Sequence, residues 1–199
     1  VVYFRGEYHV FYQHHPFDAS WGPMYWGHAK SRDLVHWQHL PIALEPGDEF
    51  DRHGCFSGSA VVCGDSLALL YTGHTWLAEV GDERSIRQVQ CLATSEDGVH
   101  FVKHGAVIDA APDAAIMHFR DPKVWREGEH WYLIAGARLS SWETRTRAYN
   151  IANTYTATSG VTVELFNVPT TVPASCSAYT GPIASRNITF AATDLGRKA

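Results

Sequence analysis

Hydrophobic and polar residues alternate over short runs in the part of the chain that precedes Ser140. Alternation with a period of two is typical of β-strands that bury one face. Clusters of glycine or aspartate separate the five clearest runs, which are Tyr8–Tyr12, Ser59–Val62, Leu67–Tyr71, Gln88–Leu92 and Trp131–Ile134. The most helix-like stretch, Trp76–Arg87, is interrupted by Gly81. We therefore predict an all-β fold.

Two segments share the frame S-x-D-x-V-H-aromatic, and they are Ser31–Trp37 and Ser95–Phe101. In the same register Gly6–Phe11 is similar to Gly128–Leu133, and the Leu67–Tyr71 run falls about halfway between them. A repeat of about 60 residues with several short strands in each unit favours the blades of a β-propeller. The alternative is a coincidence between two β-hairpins that share turn chemistry.

About three such units fit into 199 residues, whereas a propeller needs roughly four or more to close its ring. We therefore expect a partial propeller domain over residues 1–138. The composition changes after about Arg147, and the only charged residues between Tyr149 and Phe190 are Glu164 and Arg186. We expect residues 139–199 to be either a divergent blade or an unrelated tail, such as a shifted reading frame, and the second alternative is favoured.

The charge of the chain is low and scattered, with a formal net value of -5. No basic patch favours nucleic acid, and no apolar run approaches the roughly 20 residues of a membrane-spanning helix. We expect neither a nucleic acid nor a membrane as partner, and a cytoplasmic location. This expectation takes no account of a leader sequence, because the chain begins at Val1 inside a predicted strand. No feature of the sequence indicates an oligomeric state.

The cysteine and histidine residues carry little functional signal. The four cysteines form no CxxC pair, so we expect reduced and mostly buried thiols. The twelve histidines form no HExxH motif, and the neighbours His14 and His15 would point to opposite faces of a strand. We expect no metal site and no cofactor.

The segment 8–37 combines aromatic, glycine, amide and charged residues densely enough to predict a polar surface that faces a ligand. Sugars bind to flat aromatic faces and to planar hydrogen-bonding groups, which Trp21 and Gln13 supply. Trp21 lies between Ser20 and Gly22 in a turn-like stretch, which favours exposure, whereas Trp26 is more typical of a core residue. For Gln13, an ordinary glutamine at the end of a strand is equally open.

Two further places could carry chemistry. Ser57, in the stretch Phe56-Ser57-Gly58-Ser59, is either a ligand contact or a turn residue, and no G-x-S-x-G elbow supports a nucleophilic role. Arg120 and Asp121 would point to opposite faces of a regular strand, so they need not form an ion pair and each could bind something else. For Asp121 a structural carboxylate and a functional one are equally supported at this point.

Four motifs in this order resemble glycoside hydrolase family 32, the β-fructofuranosidases that include invertases and sucrose-6-phosphate hydrolases. They are FYQHHPFDASWGPMYWGHAKSRDLVHWQHLPIAL, CFSGSAVV, QCLATSEDG and FRDPKVW, and they extend to about Arg138. The resemblance implies a five-bladed β-propeller catalytic domain, of which about three blades are present. It also implies a following β-sandwich, which is not recognisable here.

The resemblance implies hydrolysis of terminal β-D-fructofuranosides with retention, on sucrose, sucrose-6-phosphate or a fructan. It assigns Asp121 as the carboxylate that stabilises the transition state, with Arg120 beside it. It also assigns Gln13, Trp21, Phe56 and Ser57 to the subsite that binds the fructose unit of the small-molecule substrate. FYQHHPF and FSGSA argue against the related glycosidases that act on arabinosides or xylosides.

Two other carboxylates of that mechanism are not found in this sequence. The resemblance places the nucleophile in an Asn-Asp-Pro-Asn-like segment and the acid/base residue in a Glu-Cys pair, and neither motif occurs in the 199 residues. We therefore expect the chain as given to have negligible activity, because the remaining groups supply neither attack nor proton transfer. The alternative function is a non-catalytic propeller fragment that binds carbohydrate.

Overall fold

The computed structural model describes residues 1–111, 114–127, 130–139, 144–150, 155–156 and 162–163. These residues form antiparallel sheets built from consecutive strands. The first sheet has the order β1-β2-β3-β4, with β1 Val2–Phe4, β2 Glu7–His14, β3 Tyr25–Ser31 and β4 Gln38–Leu44. The second has the order β5-β6-β7-β8, with β5 Cys55–Cys63, β6 Ser66–Trp76, β7 Ile86–Ser95 and β8 Val102–Ile108.

The third sheet has the order β11-β10-β9, with β9 Ile116–Glu127, β10 His130–Leu139 and β11 Thr144–Asn150. A short pair follows, with β12 Tyr155–Thr156 and β13 Thr162–Val163. Each of the five predicted runs lies inside a strand, namely in β2, β5, β6, β7 and β10, and the described residues contain no helix. The prediction of an all-β fold is confirmed. Accordingly, the described part of the chain offers no helix that could cross a membrane.

The repeated S-x-D-x-V-H-aromatic segments form the same turn twice. In the first copy Asp33 Oδ1 accepts the N–H groups of Val35 and His36, and in the second Asp97 Oδ1 accepts those of Val99 and His100. Each turn joins the third strand of a four-stranded sheet to its fourth strand. The repeat is therefore a repeat of whole sheets, as in propeller blades, and not a chance likeness between two hairpins.

Neighbouring sheets pack on each other through two hydrophobic clusters. One cluster includes Trp26 and Leu44 of the first sheet with Leu69, Tyr71 and Val89 of the second. The other joins the second and third sheets and includes Leu70, Leu92, Phe119, Val124 and Leu133. The first strand of each later sheet lies against the preceding sheet, since β5 contacts β1, β2 and β3, and β9 contacts β5, β6 and β7. As a result, one strand of each sheet, namely β2, β5 and β9, contributes to the site described below.

A buried carboxylate ties the segment before β5 to the second sheet. Asp51 is fully buried, accepts a hydrogen bond from Tyr71 Oη at 2.9 Å and lies 2.7 Å from Lys103 Nζ. Burial lowers the pKa of Lys103, but hydrogen bonds to Asp51 and Asp48 outweigh this effect and raise it above its ordinary value. The ion pair between Asp51 and Lys103 thus links the loop that leads into β5 to β8.

The thiols follow the expectation only in part. Cys55 and Cys91 are buried free thiols, and burial raises the pKa of Cys91 to about 12. Cys63, in contrast, is disulfide-bonded, so the expectation of reduced thiols is wrong for this residue.

The predicted boundary at residue 138 falls at the end of β10, and the described part of the third sheet continues beyond it. β11 pairs with β10 and continues that sheet to Asn150. Most of residues 139–199 lie outside the described residues, so the interpretation of this segment as a divergent or unrelated tail stays a prediction.

Candidate functional site

A cavity of about 740 Å³ lies on the side where β2, β5 and β9 come together. All six residues that the sequence analysis singled out contribute to its wall, although they come from three different sheets. They are Gln13, Trp21, Phe56, Ser57, Arg120 and Asp121. The rest of the wall consists of His15, Asp18, Ala19, Ser20, Met24 and Glu83. The structure thus brings the predicted set together, while the role of each member stays a prediction.

Asp121 occupies a β-bulge in β9. Lys123 pairs with Ile134 and Arg120 pairs with Gly136, so β9 has two residues, Asp121 and Pro122, where β10 has one. Asp121 also has a φ of 62°, in the left-handed region that aspartate tolerates better than most residues. Bulges re-aim a side chain relative to a regular strand. Here the bulge directs Asp121 to the cavity, where its side chain is 52% exposed.

The same bulge corrects the prediction for Arg120. Arg120 and Asp121 were expected on opposite faces of a regular strand, and this prediction was wrong because β9 is irregular at this point. Arg120 Nε lies 3.7 Å from Asp121 Oδ2, and both residues line the cavity. Burial raises the pKa of Asp121 and the charge of Arg120 opposes this effect, with a net rise above the ordinary value. The carboxylate therefore has a cationic neighbour at longer range than a direct hydrogen bond.

Three rings, those of Trp21, Phe56 and His74, contact one another in sequence from the cavity into the core. Trp21 is 61% exposed and meets Phe56 edge-on, with ring centroids 6.0 Å apart. Phe56 in turn stacks on buried His74 at 4.2 Å. Burial lowers the pKa of His74 to about 4, so the imidazole is neutral near pH 7 and acts as a flat support. Trp21 is thus exposed at the cavity and packs against Phe56. Trp26, at 4% exposure, is the core residue that was expected.

Gln13 links the first and second sheets at the cavity, and Ser57 lies at a bulge beside it. Gln13 Nε2 donates to the carbonyl oxygen of Cys55 at 3.0 Å, which leaves the amide oxygen for other partners. Ser57 is the extra residue of a bulge in β5, because Phe56 pairs with Thr72 and Gly58 pairs with Tyr71. A Cβ at Gly58 would lie 2.0 Å from the carbonyl oxygen of Leu70, so this bulge requires glycine. The bulge leaves Ser57 exposed beside Phe56.

The loop that carries Trp21 is shaped by its own polar groups. Asp18 Oδ1 accepts the N–H of Ser20 at 2.8 Å, and this backbone hydrogen bond is the main reason that the pKa of Asp18 is lowered. His15 Nδ1 lies 3.0 Å from the carbonyl oxygen of Ser20, and a Cβ at Gly22 would overlap the His15 ring. Gly22 therefore allows the loop to close tightly next to Trp21.

Sequence reasoning missed Glu83, which lies in the loop between β6 and β7. Its side chain is 60% exposed on the cavity wall, 3.5 Å from Arg138 Nη2 and 3.8 Å from His118 Nε2. No local motif marks Glu83, and only the folding of the second sheet against the third brings it near Asp121. With Asp18 and Asp121 it gives the described wall three carboxylates against the single cation of Arg120.

Sequence reasoning also missed Thr72, whose Oγ1 accepts the N–H of Asp121 at 3.0 Å. No local motif marks Thr72, which lies at a fully buried position of β6. Among the described residues, no three His, Cys, Asp or Glu side chains form a group that could hold a metal ion.

Comparison with known proteins agrees with this arrangement. Residues 1–162 match the model of the glycosyl hydrolases family 32 N-terminal domain. The chain belongs to glycoside hydrolase family 32. Its sheets are accordingly those of a β-propeller-type domain, all-β in the described residues.

Several family 32 proteins are similar over most of this chain. A sucrose-6-phosphate hydrolase of Escherichia coli is 58% identical over 138 residues, which are 69% of this chain and 28% of that protein. A raffinose invertase of Escherichia coli is 56% identical over 141 residues, or 71% of this chain and 29% of that protein. The chain thus spans less than a third of the length of these relatives.

Solved family 32 structures give the same picture. A mutant of the Bombyx mori β-fructofuranosidase in complex with sucrose has a TM-score of 0.61 and 44% identity, over 69% of this chain and 28% of that one. The sucrose-6-phosphate hydrolase of Lactobacillus gasseri has a TM-score of 0.62 and 33% identity, over 70% of this chain and 28% of that one.

Proposed function

We propose that the cavity binds the terminal β-D-fructofuranosyl unit of a sugar, and that Asp121 stabilises the transition state when the family's hydrolytic reaction takes place there. One observation carries this proposal, namely that six residues chosen from sequence motifs line one cavity of about 740 Å³. The similarity to a β-fructofuranosidase in complex with sucrose supports the choice of ligand. We further propose that the three sheets are part of a five-bladed propeller.

The chemistry of the wall suits a neutral sugar ring. The open face of Trp21, backed by Phe56, offers an apolar platform for C–H groups. Gln13, Ser57 and Asp121 offer an amide, a hydroxyl and a carboxylate to sugar hydroxyls. The carboxylate of Asp121 would also favour the positive charge that develops on the sugar in an oxocarbenium-like transition state.

The charge of the wall favours an unphosphorylated fructoside. The described wall holds three carboxylates, from Asp18, Glu83 and Asp121, and the guanidinium of Arg120, and a second guanidinium, that of Arg138, lies 3.5 Å from Glu83. A sugar phosphate would meet net repulsion there, whereas sucrose or a fructan would not. We therefore propose a neutral fructoside as the preferred ligand of this part of the site, although two of the relatives named above are sucrose-6-phosphate hydrolases.

Hydrolysis with retention needs two further carboxyl groups about 5 Å apart, one as nucleophile and one as acid/base. The sequence contains neither the Asn-Asp-Pro-Asn-like segment nor the Glu-Cys pair in which the family places them. We therefore propose binding without appreciable turnover for these 199 residues. Fructose release from sucrose at the rate of an ordinary hydrolase would contradict this part of the proposal.

Calorimetric titration of the purified chain with sucrose tests the binding. We expect a dissociation constant in the millimolar range, about -4 kcal/mol in free energy, because the two motifs that carry the other carboxyl groups do not occur in the sequence. Asp121→Asn should weaken binding about tenfold or more, since a hydrogen bond to a charged group is lost. Trp21→Ala should weaken it similarly, and Trp37→Ala, which truncates an exposed tryptophan outside the cavity wall, should leave it unchanged.

The same titration with sucrose-6-phosphate tests the ligand class. We expect weaker binding than for sucrose at low salt, with a difference that shrinks as salt screens the carboxylates. Equal affinities of the wild type, Asp121→Asn and Trp21→Ala for sucrose would contradict the proposed site. Tighter binding of sucrose-6-phosphate would contradict only the preference for a neutral fructoside.

A further inference from the structure

Buried polar side chains of β6 and β7 form a hydrogen-bond network with the backbone of β9. Thr72 and Gln90 are fully buried, and Thr72 Oγ1 donates to Gln90 Oε1 at 2.9 Å. Gln90 Nε2 donates to the carbonyl oxygen of Phe119 at 2.8 Å. Gln88 Oε1 accepts a hydrogen bond from the N–H of Phe119 at 2.9 Å. Side chains of β7 thus bind both polar backbone groups of Phe119, two residues before Asp121.

This hydrogen-bond network reaches the backbone of Asp121. Thr72 Oγ1, whose proton is directed to Gln90, accepts the N–H of Asp121 at 3.0 Å. A bulge disrupts the regular ladder of hydrogen bonds between strands, so the backbone there depends on other partners. Phe119 and Asp121 are therefore both anchored from the second sheet, one on each side of Arg120.

The geometry of Asp121 needs such anchors. Its φ of 62° is unfavourable for a residue with a side chain and persists only where the surroundings determine it. The side chain itself is half exposed, and within the described part of the chain its charged neighbour is Arg120 at 3.7 Å. The direction of the carboxylate is thus set through the backbone, and besides the pairing with β10 that backbone is bound by Thr72, Gln88 and Gln90 of the second sheet.

We propose that Thr72 and Gln90 are positioning residues for the carboxylate of Asp121 and so for recognition of the fructosyl unit. This inference rests on the proposed function for its ligand, but the geometric part stands on the hydrogen bonds alone. Thr72 and Gln90 are absent from the cavity wall, so they would act only through Asp121 and not by contact with the sugar.

Ser59 offers a matched control. It is buried in β5, and its Oγ accepts the N–H of Val124 in β9 at 2.9 Å. Ser59→Ala therefore removes a buried hydrogen bond from a side chain to the same strand, three residues beyond Asp121. A general loosening of β9 would be common to Ser59→Ala and Thr72→Val, whereas the positioning effect would be limited to Thr72→Val.

The experiment compares the full chain with Thr72→Val, Thr72→Ser, Gln90→Met and Ser59→Ala in two measurements. The first follows the Asp121 side-chain carboxyl carbon by NMR over a pH titration without ligand. We expect Thr72→Val and Gln90→Met to move the pKa of Asp121 toward its ordinary value, and Thr72→Ser and Ser59→Ala to leave it as in the wild type. The second measures affinity for sucrose, which should fall about tenfold for Thr72→Val and less than twofold for Thr72→Ser and Ser59→Ala, since a small misplacement of a binding group is costly.

The outcomes separate the two proposals. An unchanged pKa of Asp121 in Thr72→Val and Gln90→Met would overturn the positioning role, and so would an equal effect of Ser59→Ala. If the wild type binds no fructoside and the pKa pattern is still found, the positioning role stands and the proposed function falls. If Thr72→Val does not fold, Gln90→Met and the rescue by Thr72→Ser decide the question.

Discussion

At the scale of single residues, Asp121 shows how a motif and its geometry depend on each other. The sequence marks this residue through the Arg-Asp-Pro motif, and the structure adds the bulge and the left-handed φ that aim its side chain into the cavity. The bulge could not be predicted, because it depends on how β9 pairs with β10. For the same reason the predicted alternation of Arg120 and Asp121 was wrong.

Substitutions at Asp121 should separate backbone strain from charge. Asparagine tolerates the left-handed region nearly as well as aspartate, whereas alanine does not. We expect Asp121→Asn to change the free energy of unfolding by less than about 0.5 kcal/mol and Asp121→Ala to lower it by about 1 kcal/mol. Urea unfolding at pH 7 measures both values, and an equal loss of stability in the two variants would contradict the role of the backbone.

The six cavity residues could be chosen from sequence because they belong to recognisable motifs, but their supports could not. Thr72 and Gln90 look like ordinary members of alternating strands, and Glu83 lies in a loop without a motif. Their importance follows from contacts between sheets, which local patterns do not contain.

At the scale of elements, the central strands of the second sheet, β6 and β7, are covered on both faces, and this explains their composition. In β6 every residue from Leu67 to His74 is buried, so the strand does not alternate between core and solvent. The predicted run Leu67–Tyr71 was nevertheless found as a strand, because a short apolar run bounded by turn residues is also typical of a covered strand. The polar residues within such strands must find partners inside the protein.

Buried histidines in these elements should make stability depend on pH. His28 in β3 and His74 in β6 are each about 1% exposed, and burial lowers the pKa of each to about 4, from 6.5. Between these pKa values the unfolded chain binds protons that the folded chain does not, so stability falls as the pH decreases from about 6.5 to about 4. Together the two residues should cost roughly 4 kcal/mol between pH 7 and pH 5.

Urea unfolding at several values between pH 7 and pH 5 tests this, since most carboxylates stay ionised in that window. His28→Asn should reduce the pH dependence by about half, and His39→Asn, at an exposed position, should retain it. A free energy of unfolding that is constant over this window would show that the buried imidazoles do not titrate as described.

At the scale of the whole molecule, a repeat of sheets produces the cavity. The sequence repeat predicted units of several short strands that share a turn segment, and the structure shows the equivalent turns at Asp33 and Asp97. The equivalent turn residues Leu34 and Gly98 even share a positive φ, of 64° and 76°. What the repeat could not predict is how closely successive sheets pack, and this packing brings Gln13, Phe56 and Asp121 to one wall.

The central claim is that this wall binds a fructosyl unit, and a ¹⁵N–¹H NMR titration of the chain with sucrose tests it most directly. We expect saturable shifts of the Trp21 indole N–H, the Gln13 side-chain amide and the Asp121 backbone N–H. The indole N–H signal of Trp37 should not shift. The backbone N–H signals of His100 and Lys103, which line a separate cavity of about 440 Å³, should not shift either. Shifts confined to that second cavity, or no shifts at the first at high sugar concentration, would contradict the account.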